Sequence, residues 1–184
     1  MVKVLNEYKG TMEVTKEFYE MFRECLSTDE ARYALNYVYF DSDQQTFVAT
    51  DGSRMIWHIS LDMSPKLTGF YELAKIGRKY KLIPFDCDGQ FPSWQKVIPD
   101  REEAVTIKLD DGDCMMSLSG KMADDSVTLC QLIRATDSNI NIDFLTKVLK
   151  HAASFTVQCS GRNKAILFEI DKDTNYIVMP LLRV

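Results

Sequence analysis

The sequence predicts an α+β fold of two strand–helix–three-strand repeats with pseudo-twofold symmetry, the helices lying on one face of antiparallel sheets. Two stretches carry helical spacing of apolar residues, one near each end of the chain. Each is followed by runs rich in β-branched and aromatic residues, and polar turn residues separate those runs.

The first helix is marked by Phe18, Met21, Phe22 and Cys25, which recur at three and four residues and share one face, and Thr15 is placed to cap it. A polar break at Ser27–Glu30 ends it. Strands are predicted at Tyr33–Phe40, Thr46–Thr50 and Arg54–Ser60, divided by Asp41-Ser-Asp-Gln-Gln and by Asp51-Gly52, which completes a first repeat over about 10–61. In the linker, about 62–103, Phe70–Lys81 is expected as a basic helix and Phe85–Pro99 as a loop. The second repeat, about 104–184, opens with a hairpin of Ala104–Leu109 and Cys114–Ser119 around Asp110-Asp-Gly-Asp, followed by a strand at Ser126–Ile133. A short strand at Asn139–Ile142 leads into a helix over Asp143–Ala153, whose Phe144, Leu145, Val148, Leu149 and Ala152 face one side. Three strands then follow, Phe155–Cys159, Ala165–Ile170 and Tyr176–Leu182, with polar turns at Ser160-Gly-Arg-Asn and Asp171-Lys-Asp-Thr. Residues 1–184 are read as a single module.

Composition narrows the function classes. At 184 residues, 46% hydrophobic and 27% charged, the chain can bury an ordinary globular core. A net charge of −5 argues against gripping nucleic acid with the whole surface, though it permits a local basic stripe. The five cysteines are scattered without a CxxC pair and read as reduced, mostly buried residues, and two histidines are too few for a histidine-rich metal site. There is no glycine-rich phosphate loop and no G-x-S-x-G elbow, so an enzyme is not expected and no metal or cofactor is implied. The charged start of the sequence and the lack of a long apolar run predict a cytoplasmic protein with no membrane span.

Arg32-Tyr-Ala-Leu-Asn-Tyr-Val-Tyr-Phe-Asp followed by Phe47-Val-Ala-Thr-Asp-Gly-Ser-Arg-Met resembles the bacterial DNA polymerase III β sliding clamp, whose middle domain carries R-Y-x-L-N-G and then V-A-T-D-G-H-R-L. Asp88-Gly-Gln-Phe-Pro-Ser-Trp-Gln-Lys-Val-Ile-Pro is similar to that family's D-G-R-F-P-x-Y-x-x-V-L-P linker, and Tyr176-Ile-Val-Met-Pro-Leu-Leu-Arg-Val to its terminal Y-V-V-M-P-M-R-L. The three segments occur in the family's order. The chain is shorter than the three-domain subunit of that family and reads as the opening of the middle domain joined to the close of the final one.

The resemblance implies a DNA-clamp-like fold and a non-enzymatic accessory factor of DNA replication or repair. Its partners would be proteins carrying short clamp-binding motifs. Carried over residue by residue, the peptide-binding pocket comprises Thr50, Gly52, Ser53, Arg54 and Met55 from the turn, Pro92 and Val97 from the linker, and Ile177, Val178, Met179, Pro180 and Leu181 from the tail. Ser53 stands where the family has histidine, and Leu182 is one residue more than the family's tail contains. Aliphatic and thioether side chains suit such a groove, because they give adaptable apolar contact. Taken singly, Asp51-Gly52 reads as a hairpin turn and Met179-Pro180-Leu181 as an edge strand; the flanking matches turn both toward the pocket. Trp57 is expected in the core. Trp94 sits in a polar loop, where burial and exposure are equally open.

In clamps the helices face DNA. Here the counterparts are Lys16 and Arg23 on the first helix and Lys147, Lys150 and His151 on the second, giving duplex DNA, bound without sequence specificity, as a further partner. The first helix region also carries Glu13, Glu17, Glu20 and Glu24, a mixture that marks a solvated face. Assembly around DNA as a processivity factor requires a homo-oligomeric ring. The rival readings are a monomeric peptide-binding adaptor or competitor without a ring, and an enzyme whose site leaves no sequence motif.

Overall fold

Thr15 sets where the first helix begins. Its hydroxyl accepts the Phe18 N–H at 3.1 Å, satisfying one donor that the opening turn leaves free, and α1 runs from Lys16 to Cys25. The computed structural model describes residues 10–60, 69–99, 105–109, 141, 143–144, 155–159 and 164–180. The helix buries Tyr19, Phe22 and Cys25, while Phe18 and Met21 are half-buried. The buried face is therefore turned toward Tyr19, which the apolar spacing did not include.

Two compact units make up the chain, Met1–Gly52 with Ile56–Pro92, and Ser53–Met55 with Ser93–Val184. In the first unit the strands are β1 (Met12–Val14), β2 (Val38–Asp41), β3 (Thr46–Thr50), β4 (Arg54–Ile59), β5 (Gly69–Ile76) and β6 (Lys79–Phe85), although Arg54 and Met55 at the head of β4 belong to the second unit. Their order across the sheet is β1-β6-β5-β2-β3-β4, and β2 is antiparallel to both β3 and β5. Phe18 of α1 stacks on Phe22 at 4.0 Å and meets the edge of Phe47 in β3 at 5.7 Å. Around these rings Val38, Phe40, Val48, Ile56 and Leu82 are fully buried, each contributing about 1.5–3 kcal/mol of hydrophobic stabilisation.

The turn between β2 and β3 forms as its residues dictate. The Asp41 carboxylate accepts the Asp43 and Gln44 N–H groups, and Gln45 takes the left-handed region at φ 52°. Trp57 is in the core, as expected.

Two expectations are corrected here. Tyr33–Tyr37 is not strand: Glu30–Asn36 is 3-10 helical with a kink at Arg32, because Asp29 caps it through the Ala31 N–H and the Leu35 carbonyl is taken by the Ser27 N–H. Only Val38–Asp41 pairs in the sheet. Nor is Phe70–Lys81 a basic helix. It is the β5–β6 hairpin, with Ile76 opposite Lys79 and a two-residue turn at Gly77-Arg78 in which Gly77 has φ 63°. Pairing with Tyr80–Ile83 of β6, a strand itself paired with β1, overrides the helical propensity of Glu72-Leu-Ala-Lys.

In the second unit β7 (Val105–Leu109), β8 (Phe155–Cys159), β9 (Ile166–Glu169) and β10 (Thr174–Val178) follow the order β10-β9-β8-β7, each antiparallel to its neighbour. β7 pairs with β8. The hairpin partner expected for it at Cys114–Ser119 and the strand at Ser126–Ile133 lie outside the described residues, as do Asn139, Ile140 and Ile142 and most of the second helix, of which Asp143 and Phe144 are helical. The turn into β10 is built by Asp171, whose carboxylate accepts the Asp173 and Thr174 N–H groups at 2.8 Å each. β10 therefore begins at Thr174, two residues before the predicted start, and ends at Val178.

Candidate functional site

The segment Ser53–Met55 belongs to the second unit, and what binds it there is the end of the chain. The Met179 N–H donates to the Ser53 carbonyl at 2.8 Å, one residue beyond the close of β10. Ser53 is exposed and Met179 and Pro180 are half-buried, whereas Met55, Ile177 and Val178 are core residues at 3%, 0% and 0% exposure. The seam thus has an apolar floor and a rim made by Ser53, Met179 and Pro180. Arg54 is buried as well, its guanidinium 4.5 Å from the centre of the Phe144 ring, a cation–π contact inside the same unit. Val97 is half-buried at the end of a single 3-10 turn, Trp94–Val97, and Trp94 is buried in that turn.

The remaining pocket residues named from the sequence divide otherwise. Thr50, Gly52 and Pro92 fall in the first unit, and Leu181 lies outside the described residues. Within the first unit the turn after β3 is locally determined: the Thr50 hydroxyl accepts the Gly52 N–H at 3.1 Å, and the Arg32 guanidinium reaches the Asp51 carbonyl at 3.5 Å. Gly52 has φ 91°, a conformation that favours glycine, and a Cβ there would come within 2.9 Å of Arg32 Nη1. A second close approach joins two of the quoted segments. A Cβ on Gly89 would meet Ala34 Cβ at 2.8 Å and Tyr33 Cε2 at 3.1 Å, so the Asp88-Gly-Gln-Phe run is laid directly on Tyr33-Ala34. Phe91 then stacks on Tyr39 at 4.7 Å, with the rings 6° from parallel.

This architecture matches solved bacterial clamps. DNA polymerase III subunit β from Borrelia burgdorferi, in a structure with a natural product, is similar over 100% of this chain and 67% of its own, at a TM-score of 0.63 and 12% identity. The Thermotoga maritima β subunit is similar over 97% of this chain and 67% of its own, at 0.60 and 17%. The chain has the sliding-clamp fold. It spans about two thirds of the clamp chains it matches, which include the Helicobacter pylori β clamp bound to a DNA ligase peptide, at a TM-score of 0.57, 13% identity, and 97% and 67% coverage. At these identities the likeness is one of fold. No family model and no curated protein matches the sequence.

The two cations of α1 both have partners. Lys16 pairs with Glu20 at 3.4 Å, and Arg23 donates to the Tyr19 hydroxyl at 3.0 Å while lying 5.7 Å over that ring. Lys147, Lys150 and His151 lie outside the described residues. The cluster Lys75, Arg78, Lys79 and Lys81, read from sequence as helical, decorates the β5–β6 hairpin. There the Glu13 carboxylate accepts from Lys79 Nζ at 2.9 Å, raising the Lys79 pKa, and Lys75 Nζ lies 5.6 Å over the Tyr80 ring. Among the described residues no three His, Cys, Asp or Glu side chains gather where a metal ion could be held, and no helix is long and apolar enough to cross a membrane.

Proposed function

We propose that this chain is a non-enzymatic binding module of DNA replication or repair, which holds short clamp-binding peptide motifs at the seam between Ser53–Met55 and Ile177–Pro180. The observation that carries the proposal is the Met179-to-Ser53 hydrogen bond. It ties together, within one unit, two segments that are more than a hundred residues apart and that both resemble the clamp family's pocket. An extended peptide lying on the seam gains apolar contact from Met179 and Pro180. Burial of about 400 Å² of apolar surface contributes about 10 kcal/mol gross, and ordering the peptide consumes much of it, leaving an affinity of about 1 μM. Calorimetric titration with a peptide bearing a bacterial clamp-binding motif tests the proposal. Saturable binding that Met179→Asp weakens at least about tenfold, equivalent to about 1.4 kcal/mol, is the expected result; no saturable binding, or binding indifferent to that change, counts against it.

Assembly around duplex DNA as a processivity factor is the fuller form of this reading, and it needs several copies to close a ring. One observation favours the monomeric adaptor or competitor instead. α1 carries Glu17, Glu20 and Glu24 against Lys16 and Arg23, so its net charge is negative and unsuited to phosphates. Light scattering at micromolar concentration separates the two: a stable monomer supports the adaptor, a closed oligomer the ring.

A further inference from the structure

Three large hydrophobic side chains stand exposed among the described residues: Tyr33 at 48%, Ile76 at 41% and Phe85 at 38%. Ile76 lies at the hairpin tip, but Tyr33 and Phe85 belong to one surface of the first unit. Phe85, the last residue of β6, stacks on Tyr37 with ring centres 4.0 Å apart and planes 14° from parallel. Past the strand the chain runs through Asp86 and Cys87 to Gly89, and at Gly89 the Tyr33 ring and the Cys87 sulfur both border the backbone, 3.1 and 3.3 Å from where a Cβ would stand. The segment Tyr33–Tyr37 therefore meets the run from Phe85 to Gly89 at both ends, Tyr37 on Phe85 and Tyr33 on Gly89.

Carboxylates accompany both segments. Asp86 and Asp88 are exposed next to Phe85 and Gly89 in the chain, and Asp29 and Glu30 are exposed at the head of the 3-10 turn, where Asp29 engages Arg32 at 3.7 Å. The local charge is negative, so this surface repels phosphate backbones, and flat rings beside carboxylates suit a planar cation. A guanidinium stacks on an aromatic face and offers a fork of donors to a carboxylate at once; an ammonium does only the second well. From this arrangement we infer that the Tyr33, Tyr37 and Phe85 surface docks an arginine-bearing segment of a partner protein, its guanidinium against Phe85 and its charge met by Asp86 and Asp88. The surface lies wholly in the first unit, so it stands or falls separately from the Ser53–Met179 seam.

The test uses the full chain and three blocked peptides, Gly-Arg-Gly-Arg-Gly and its counterparts with lysine or alanine, followed by NMR of the tyrosine and phenylalanine rings. The arginine peptide is expected to saturate the Tyr33 and Phe85 ring signals and to bind about fivefold more tightly than the lysine peptide. Phe85→Ala is expected to weaken it about fivefold, and Asp86→Asn with Asp88→Asn to weaken it by a similar factor. The double asparagine variant alters exposed positions only, so it decides the matter even if Phe85→Ala disturbs the fold. Equal binding of arginine and lysine peptides, no saturation, or affinity unchanged in the asparagine variant overturns the inference. So does movement of the same ring signals by duplex DNA, or by raising the protein concentration alone.

Discussion

Replacing Gly52 with alanine puts a Cβ where the backbone is at φ 91° and where Arg32 Nη1 lies 2.9 Å away. The two penalties are unequal. Arg32 is a long side chain, 59% exposed, whose tip can swing into solvent, so the steric term is small. The backbone term stays whatever Arg32 does, because a non-glycine residue in this region costs about 1–2 kcal/mol. For a chain of this length, that lowers the midpoint of thermal unfolding by about 2–8 °C. Circular dichroism melts and urea titrations of the wild type, Gly52→Ala, Arg32→Ala and the double variant form a cycle. The double variant should retain nearly all of the Gly52→Ala cost, with a coupling below about 0.5 kcal/mol. A Gly52→Ala variant as stable as wild type, or one fully restored by Arg32→Ala, would refute the claim that backbone conformation fixes glycine here.

Two further predictions concern the first unit. Phe91 is buried against Tyr39 and Phe70, so Phe91→Ala should cost about 3–5 kcal/mol and Phe91→Leu distinctly less, measured by urea unfolding; equal costs would mean that the Asp88–Phe91 run is not clamped by ring stacking. Burial raises the pKa of Tyr71, and burial followed by the charges of Asp41 and Asp43 raises that of Tyr39. The neutral phenols are thus favoured in the folded state, and their contribution holds below the unfolded pKa and is lost as pH rises through the folded value. Tyr71→Phe should accordingly move the midpoint of alkaline unfolding to higher pH, followed by circular dichroism alongside tyrosinate absorbance; a midpoint that stays put or falls contradicts the assignment.

What could be read in the sequence was local chemistry. Thr15 three residues before Phe18, the Asp41 and Asp171 turns and the boundaries of Thr46–Thr50 and Phe155–Cys159 all follow from caps, carboxylate-to-amide bonds and unbroken β-rich runs. Failures came where distant partners decided. Glu72-Leu-Ala-Lys has helical propensity, yet it pairs with Tyr80–Ile83 of β6, and Gly77 offered the one visible sign of a hairpin. Tyr33 and Tyr37 favour strand, but Tyr33–Asn36 is drawn into a 3-10 turn by Asp29 capping. Of the candidate site, the resemblance named the two segments that this bond joins, but no periodicity announces that the Met179 amide reaches Ser53. Nor does spacing reveal that Ile177 and Val178 are buried floor, whereas Met179 is rim. The Tyr37 stack on Phe85 was equally hidden, since it joins residues 48 positions apart.

Backbone amide hydrogen exchange, recorded with and without a clamp-motif peptide at saturation, maps where the partner lies. Added protection is expected to concentrate in Ser53–Met55 and Thr174–Met179, around the bond between Met179 and Ser53. Protection confined to the hairpin of Gly69–Ile76 and Lys79–Phe85, or to Lys16–Cys25, with the seam unchanged, would contradict it.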